Sequence, residues 1–202
     1  MWDNKKKAIT FSFDDGVIQD IRLIKLLDKY NLKATFNLNS ELFGKNDTII
    51  KFDDLGHFVK HVRINKDEVK DLYKNHEVAA HTLTHPNLIT LTKEEIIHQV
   101  EDDRKNLEKI TSQDIKGLAY PCGHPNFNDD VARIIKENTK IKFARTIVST
   151  YNFDLQNDLY KFNPTVYFLE YDKMFELGEK FIKLKTDEPK LFYIWGHAYE
   201  LE

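Results

Sequence analysis

Thr10-Phe11-Ser12-Phe13-Asp14-Asp15-Gly16 is the stretch on which the fold turns. The apolar run Ala8–Phe13 reads as a strand, and two adjacent carboxylates and a glycine end it. Asp-Asp-Gly is a good turn sequence, and an aspartate there can cap a following helix. The ends of parallel strands are also where α/β enzymes place reactive groups. The next segment, Val17–Tyr30, has a helical pattern: Ile21, Ile24 and Leu27 recur every third residue, with Leu23 and Tyr30 beside them.

The same alternation continues along the chain. Strand-like runs follow at Ala34–Leu38, Glu77–Ala80, Gly117–Tyr120, Phe143–Val148, Thr165–Leu169 and Leu191–Trp195. Helical patterns follow at Lys66–Asn75, Lys93–Ile110, Asp129–Asn138 and Asp172–Leu184. Thr92-Lys93-Glu94-Glu95 is a capping box, and Asn65-Lys66-Asp67-Glu68 resembles one. Strand–helix alternation predicts an α/β fold with a mainly parallel sheet. A complete eight-stranded barrel needs about 250 residues, so seven strands in a chain of 202 residues predict an incomplete one. One domain over residues 1–202 fits that length. Residues 41–64 form a long insertion after the second strand, which predicts either a cleft wall or a plain surface loop.

Composition narrows the function. The chain is 41% hydrophobic, which excludes wholesale disorder. Acidic residues number 33 and basic ones 30, so no electrostatic case exists for a nucleic-acid partner. The single cysteine, Cys122, excludes an intrachain disulfide and fits a reducing compartment. No apolar run after the N-terminus is long enough for a signal-peptide core or for a membrane span of ~20 residues. The sequence as written therefore predicts a cytoplasmic protein, although a secreted or cell-surface protein after signal removal would read the same.

Three more strand ends carry candidate chemistry. His81-Thr82-Leu83-Thr84-His85-Pro86 follows Glu77–Ala80. Imidazoles four residues apart lie on one face of a helical turn and can share a metal, but such a pair is also common in loops. Tyr193-Ile194-Trp195-Gly196-His197 ends the last strand on a histidine, a position open to a structural reading as well. Leu118-Ala119-Tyr120-Pro121-Cys122-Gly123 ends a strand in a rigid turn. In a parallel barrel these ends converge on one face. An aspartate with two neutral imidazoles suits a divalent metal with open positions. A second carboxylate and a third histidine then remain for acid–base work.

These residues together resemble the polysaccharide deacetylase family, which includes chitin, chitooligosaccharide and peptidoglycan deacetylases and acetylxylan esterases. Ser12-Phe13-Asp14-Asp15-Gly16 matches its Thr-Phe-Asp-Asp-Gly motif with Ser for Thr. His81-Thr82-Leu83-Thr84-His85 matches its His-Ser/Thr-x-x-His motif in full, and Trp195-Gly196-His197 its closing histidine motif. The resemblance runs from residue 8 to 200 and implies a distorted (β/α)-barrel with about seven parallel strands. It also implies a metal-dependent hydrolase that removes acetyl groups from a glycan or oligosaccharide. Asp14 would be the general base, His197 the general acid, and Asp15, His81 and His85 the metal ligands. Zinc is the default metal; cobalt, nickel, manganese or iron suit the same ligands.

Two departures bear on these roles. The family's third motif, Arg-x-Pro-Tyr/Phe-Gly, reads Ala119-Tyr120-Pro121-Cys122-Gly123, without the arginine. Cys122 still offers a backbone N–H to an oxyanion, and Arg145 is the candidate to replace the arginine from a neighbouring strand. The carboxylate that supports the acid histidine has no motif match; Asp154 is a candidate only. Trp2, Tyr151 and Tyr199 are aromatics that can stack on a sugar or serve in packing. Two alternative functions remain: a ring-amide hydrolase on the same barrel working without metal, and a non-catalytic carbohydrate binder. Iron oxygenase chemistry shares the ligand set, but it usually sits on all-β barrels, which the strand–helix alternation contradicts.

Overall fold

The computed structural model describes residues 2–45, 47–51 and 58–202. Seven strands form one all-parallel sheet. They are β1 (Lys7–Asp14), β2 (Ala34–Leu38), β5 (Glu77–Ala80), β6 (Gly117–Ala119), β7 (Phe143–Arg145), β8 (Val166–Tyr167) and β9 (Lys190–His197). Their order is β7-β6-β5-β2-β1-β9-β8, and the sheet curls into an incomplete (β/α)-barrel. All seven expected strands are present. β7 and β8 are shorter than the apolar runs suggested. Beyond β7 the chain bonds to a crossing segment instead: Phe162 donates its N–H to Ala144 at 2.9 Å, and Thr146 donates to Phe162 at 3.0 Å. That segment covers the sheet edge, which would otherwise expose unpaired backbone groups.

The insertion is a structured element, which its sequence pattern did not reveal. Its β3 (Asp47–Lys51) and β4 (Phe58–Val62) form an antiparallel hairpin; residues 52–57 of the insertion lie outside the described residues. Backbone bonds tie the hairpin to the turn after β1. Ile18 donates to the Val62 carbonyl and Ile64 to the Gly16 carbonyl, both at 2.9 Å.

Helices α1 (Asp20–Lys29), α2 (Lys66–Leu72), α5 (Asp129–Asn138) and α6 (Tyr171–Lys183) fall close to the expected patterns. α1 starts later than the apolar period suggested. Asp15 and Gly16 have φ of 85° and 64° and turn the chain left-handed, and Val17 then pairs with Arg63 in an antiparallel bridge, so the helix begins only at Asp20. A Cβ on Gly16 would also meet Leu38 Cδ2 at 2.8 Å, so glycine is required there twice over. The pattern Lys93–Ile110 is one helical rod in three pieces: α3 (Lys93–Ile97), a π turn at His98–Asp102, and α4 (Asp103–Thr111). Thr92 and Glu95 form the expected capping box. Asn65 does not form the one it resembles: its side chain caps no helical N–H and donates to Glu68 Oε2 at 2.8 Å.

The main core lies between the sheet and its helices, around Phe36, Leu38, Tyr73, Val78, Leu107 and Ile135, all 0–1% exposed. A smaller cluster of Val166, Leu177, Phe181, Phe192 and Ile194 packs α6 on β8 and β9. Among the described residues no helix is long and apolar enough to cross a membrane.

Candidate functional site

Parallel register assembles the site. β1 lies between β2 and β9, and Asp14 is level with Asn37 on one side and His197 on the other. Asn37 donates to Asp14 Oδ1 at 2.7 Å and to Ser12 Oγ at 2.7 Å. From the end of β7, Arg145 donates through Nη2 to both Asp14 oxygens at 2.5 Å. Both partners are buried, Asp14 at 2% and Arg145 at 1% exposure. The Arg145 guanidinium also sits over the Trp195 ring, 4.7 Å from its centroid, and donates to the Thr146 carbonyl at 3.1 Å. Burial pushes the Asp14 carboxyl up, but Arg145, His81 and His197 outweigh it and hold it below its ordinary value.

Asp15 points the other way. Its Oδ1 lies 3.8 Å from His81 Nε2 and 3.6 Å from His85 Nε2. The three candidate ligand atoms are within 4.8 Å of one another. His81 follows β5, and its Nδ1–H donates to the Ala119 carbonyl at 2.9 Å, which leaves the Nε2 lone pair free. Burial drives His81 down to about 4 and lowers His85 as well, so both rings are neutral near pH 7. Asp15 Oδ1 is buried and has no hydrogen-bond partner among the described residues. The Arg63 guanidinium, 3.0 Å away, opposes the oxygen's charge, but the oxygen's lone pairs remain without a hydrogen bond. Together with the free His81 lone pair and the His85 Nε2 beside it, this oxygen has the donor chemistry of a divalent-cation site.

The two histidines are not on a helical turn, as their spacing had suggested. Thr82 and His85 have φ of 70° and 62°, and this irregular turn brings the rings to 4.8 Å between centroids. Neighbouring segments fix it. Asp103 accepts the His81 N–H at 3.0 Å and the Ser40 N–H at 2.8 Å. The π turn leaves the Gln99 carbonyl open, and it accepts the Leu83 N–H at 3.0 Å.

Two groups on the hairpin were missed. His61 Nε2 is 3.0 Å from Asp15 Oδ2. Arg63 donates through Nη1 to the Asp15 backbone carbonyl and to Asn39 Oδ1, the latter at 3.0 Å, and lies 3.0 Å from Asp15 Oδ1. Burial raises the Asp15 carboxyl, but the His61 hydrogen bond and the Arg63 charge hold it well below its ordinary value. The signal was His61-x-Arg63: alternate residues of a strand share one face.

His197 is supported by Glu200, three residues on. Glu200 Oε1 is 2.8 Å from His197 Nδ1, and Oε2 accepts the His197 N–H at 2.8 Å. Asp154, the candidate for this place, instead pairs with Lys190 at 2.7 Å on the exposed side. Gly196 makes the Glu200 approach possible, because a Cβ there would stand 3.0 Å from Oε2 and 2.8 Å from Phe168. Burial lowers the imidazole, but Glu200, Asp15 and Asp14 raise it to about 9. Tyr199 stacks on His197 at 4.9 Å and is 9% exposed, so it serves packing and offers no open platform. Tyr151 is exposed and Trp2 half-buried.

Cys122 lies beside the metal-type cluster. Its φ is 70°, and Sγ is 3.5 Å from the His85 carbonyl. Asn126 donates to the carbonyls of Tyr120, Pro121 and Cys122 at 3.2, 3.1 and 3.0 Å, which locks this turn.

A sequence family described as polysaccharide deacetylase matches residues 2–140. Several solved structures share the fold. The Streptococcus pyogenes deacetylase PplD, in complex with acetate, is 23% identical with a TM-score of 0.62, over 79% of this chain and 64% of that one. A polysaccharide deacetylase from Bacillus cereus is 23% identical with a TM-score of 0.57, over 75% and 44%. A CE4 family pseudoenzyme from Bacillus anthracis is 20% identical with a TM-score of 0.55, over 97% and 57%. The chain thus spans less than two thirds of the length of each of these structures. No curated protein matches it in sequence.

Proposed function

The chain belongs to the polysaccharide deacetylase family, and from that membership we propose that it is a metal-dependent hydrolase removing acetyl groups from a carbohydrate, N-acetyl before O-acetyl. The observation that supports the metal dependence is the buried Asp15 Oδ1, which accepts no hydrogen bond among the described residues and faces Nε2 of both His81 and His85. Asp15, His81 and His85 would hold the cation, zinc by default. When bound, a divalent cation supplies Lewis-acid polarisation of the acetyl carbonyl and acidifies a water.

The remaining chemistry falls to the chain's own groups. Asp14 is ionised at neutral pH and stands at the strand end, so it accepts the proton of the attacking water. Arg145 and Asn37 fix the direction of its carboxylate. His197 holds its Nδ1 proton on Glu200 and stays protonated up to about pH 9, so Nε2–H is available to the leaving amine or alcohol. A lowered carboxylate and a raised histidine are pushed apart in the sense that assigns base and acid. The Cys122 N–H is the candidate donor to the oxyanion. Arg145 takes the part that the altered third motif leaves open, which favours an enzyme over a non-catalytic binder.

The test is acetate release from acetylated chitooligosaccharides, peptidoglycan fragments and acetylxylan, with and without chelator. Release that chelator abolishes and added Zn²⁺ restores is expected. Binding of a glycan without release, in metal-loaded protein, would identify a binder. Release indifferent to chelator would point to the metal-free hydrolase.

A further inference from the structure

We infer that His61, on the hairpin inserted after β2, is a positioning residue for cation binding: it aims Asp15 Oδ1 at the two imidazoles by holding Oδ2. This rests on the metal-dependent reading above. The geometry is specific. Asp15 is an ionised carboxylate, which only accepts, so the His61 nitrogen 3.0 Å from Oδ2 carries the proton and donates. The other oxygen, Oδ1, faces His81 and His85. The carboxylate has one soft rotation, and fixing Oδ2 fixes Oδ1.

The alternative fate of that carboxylate is present in the same site. Arg63 Nη1 is already 3.0 Å from Oδ1, and a guanidinium fork favours two-point pairing with a carboxylate. Without His61, Oδ2 is free to swing toward the guanidinium, and Oδ1 leaves the imidazoles. His61 therefore sets the balance between an ion pair and a cation site. The ring is held rigidly enough to do this. It packs edge-on against Tyr199 at 5.3 Å, and its side chain is 12% exposed. The strand under it is pinned on both sides. Gln19 Nε2 donates to the Lys60 carbonyl at 2.8 Å, and Ile18 donates to Val62 at 2.9 Å. Groups that orient a metal ligand typically contribute about 10–100-fold to metal affinity.

The experiment is titration of metal-free full chain with Co²⁺, followed by the visible absorption of the bound ion and by calorimetry, for wild type, His61→Ala, His61→Gln and His81→Ala. Gln places an amide N–H near the position of Nε2. We expect His61→Ala to weaken Co²⁺ binding about 10–100-fold with an altered spectrum, and His61→Gln to recover most of both. His61→Ala with wild-type affinity and spectrum would overturn the inference. So would equal losses in His61→Ala and His61→Gln, since the position and not the N–H would then matter. Wild type that binds Co²⁺ no better than His81→Ala would overturn the metal reading itself, a separate result.

Discussion

The two sides of the β1 end are built from different materials. Asp14 is held by the sheet: Asn37 of the neighbouring strand and Arg145 at the end of β7. Asp15, one residue on, is held by the inserted hairpin through His61 and Arg63 and turns toward an irregular turn that carries His81 and His85. Both carboxylates are buried and both lie below their ordinary values, yet their free valences differ. Both Asp14 oxygens accept from Arg145, whereas Asp15 Oδ1 has the Arg63 guanidinium nearby at 3.0 Å but accepts no hydrogen bond among the described residues. In the proposed function, adjacent and chemically identical side chains thus take different parts, one as proton acceptor and one as cation ligand. The left-handed backbone at Asp15 is what sends the second one the other way.

The sharpest way to break this contrast is to neutralise each carboxylate in turn. Asp14→Asn should cost about 10²–10⁴-fold in acetate release, the span of one acid–base group, and leave metal content unchanged. Asp15→Asn should lose the metal. The reverse pattern in elemental analysis would exchange their roles. A smaller effect is expected at the sheet-borne partner. Arg145→Met leaves the Asp14 charge buried and unpaired, which should cost on the order of 3–5 kcal/mol in urea unfolding. The Asp14 carboxyl then rises, because burial is no longer opposed by its strongest partner, so the acidic limb of the pH–rate profile should move up. An unmoved limb would detach Arg145 from the base.

The smallest effect concerns the acid. Glu200→Gln removes the partner that raises His197 to about 9, so the basic limb should shift down toward the ordinary histidine value of 6.5. The stability linkage has the same sign. A raised histidine stabilises the fold fully below its unfolded value, and that contribution fades as pH rises through about 9. In the wild type the pH dependence of unfolding should therefore steepen between about 6.5 and 9, and Glu200→Gln should flatten it.

How much of this was legible differs from residue to residue. Asp14, Asp15, His81 and His197 stand at the ends of apolar runs, where strand ends are readable, and His85 was legible from its spacing four residues after His81. Arg145 was legible as a candidate because the third motif lacked its own arginine. Glu200 was not legible because it matches no motif, and only the short helical turn after β9 returns it to the histidine three residues before it. His61 and Arg63 were missed because the hairpin has no long apolar period. Its register and its docking on the turn at Gly16 come from backbone bonds to a segment some 45 residues earlier.

The sequence by itself determined the alternation of strands and helices, the parallel sheet, and which side chains stand at strand ends. These follow from local periodicity and turn chemistry, which act over a few residues. Tertiary structure alone decided that Asp14 lies level with His197, that Arg145 crosses to Asp14, and that the hairpin's histidine reaches Asp15. Those pairings depend on strand order and on the path of an insertion. Both are set by long-range packing, which a one-dimensional pattern does not encode.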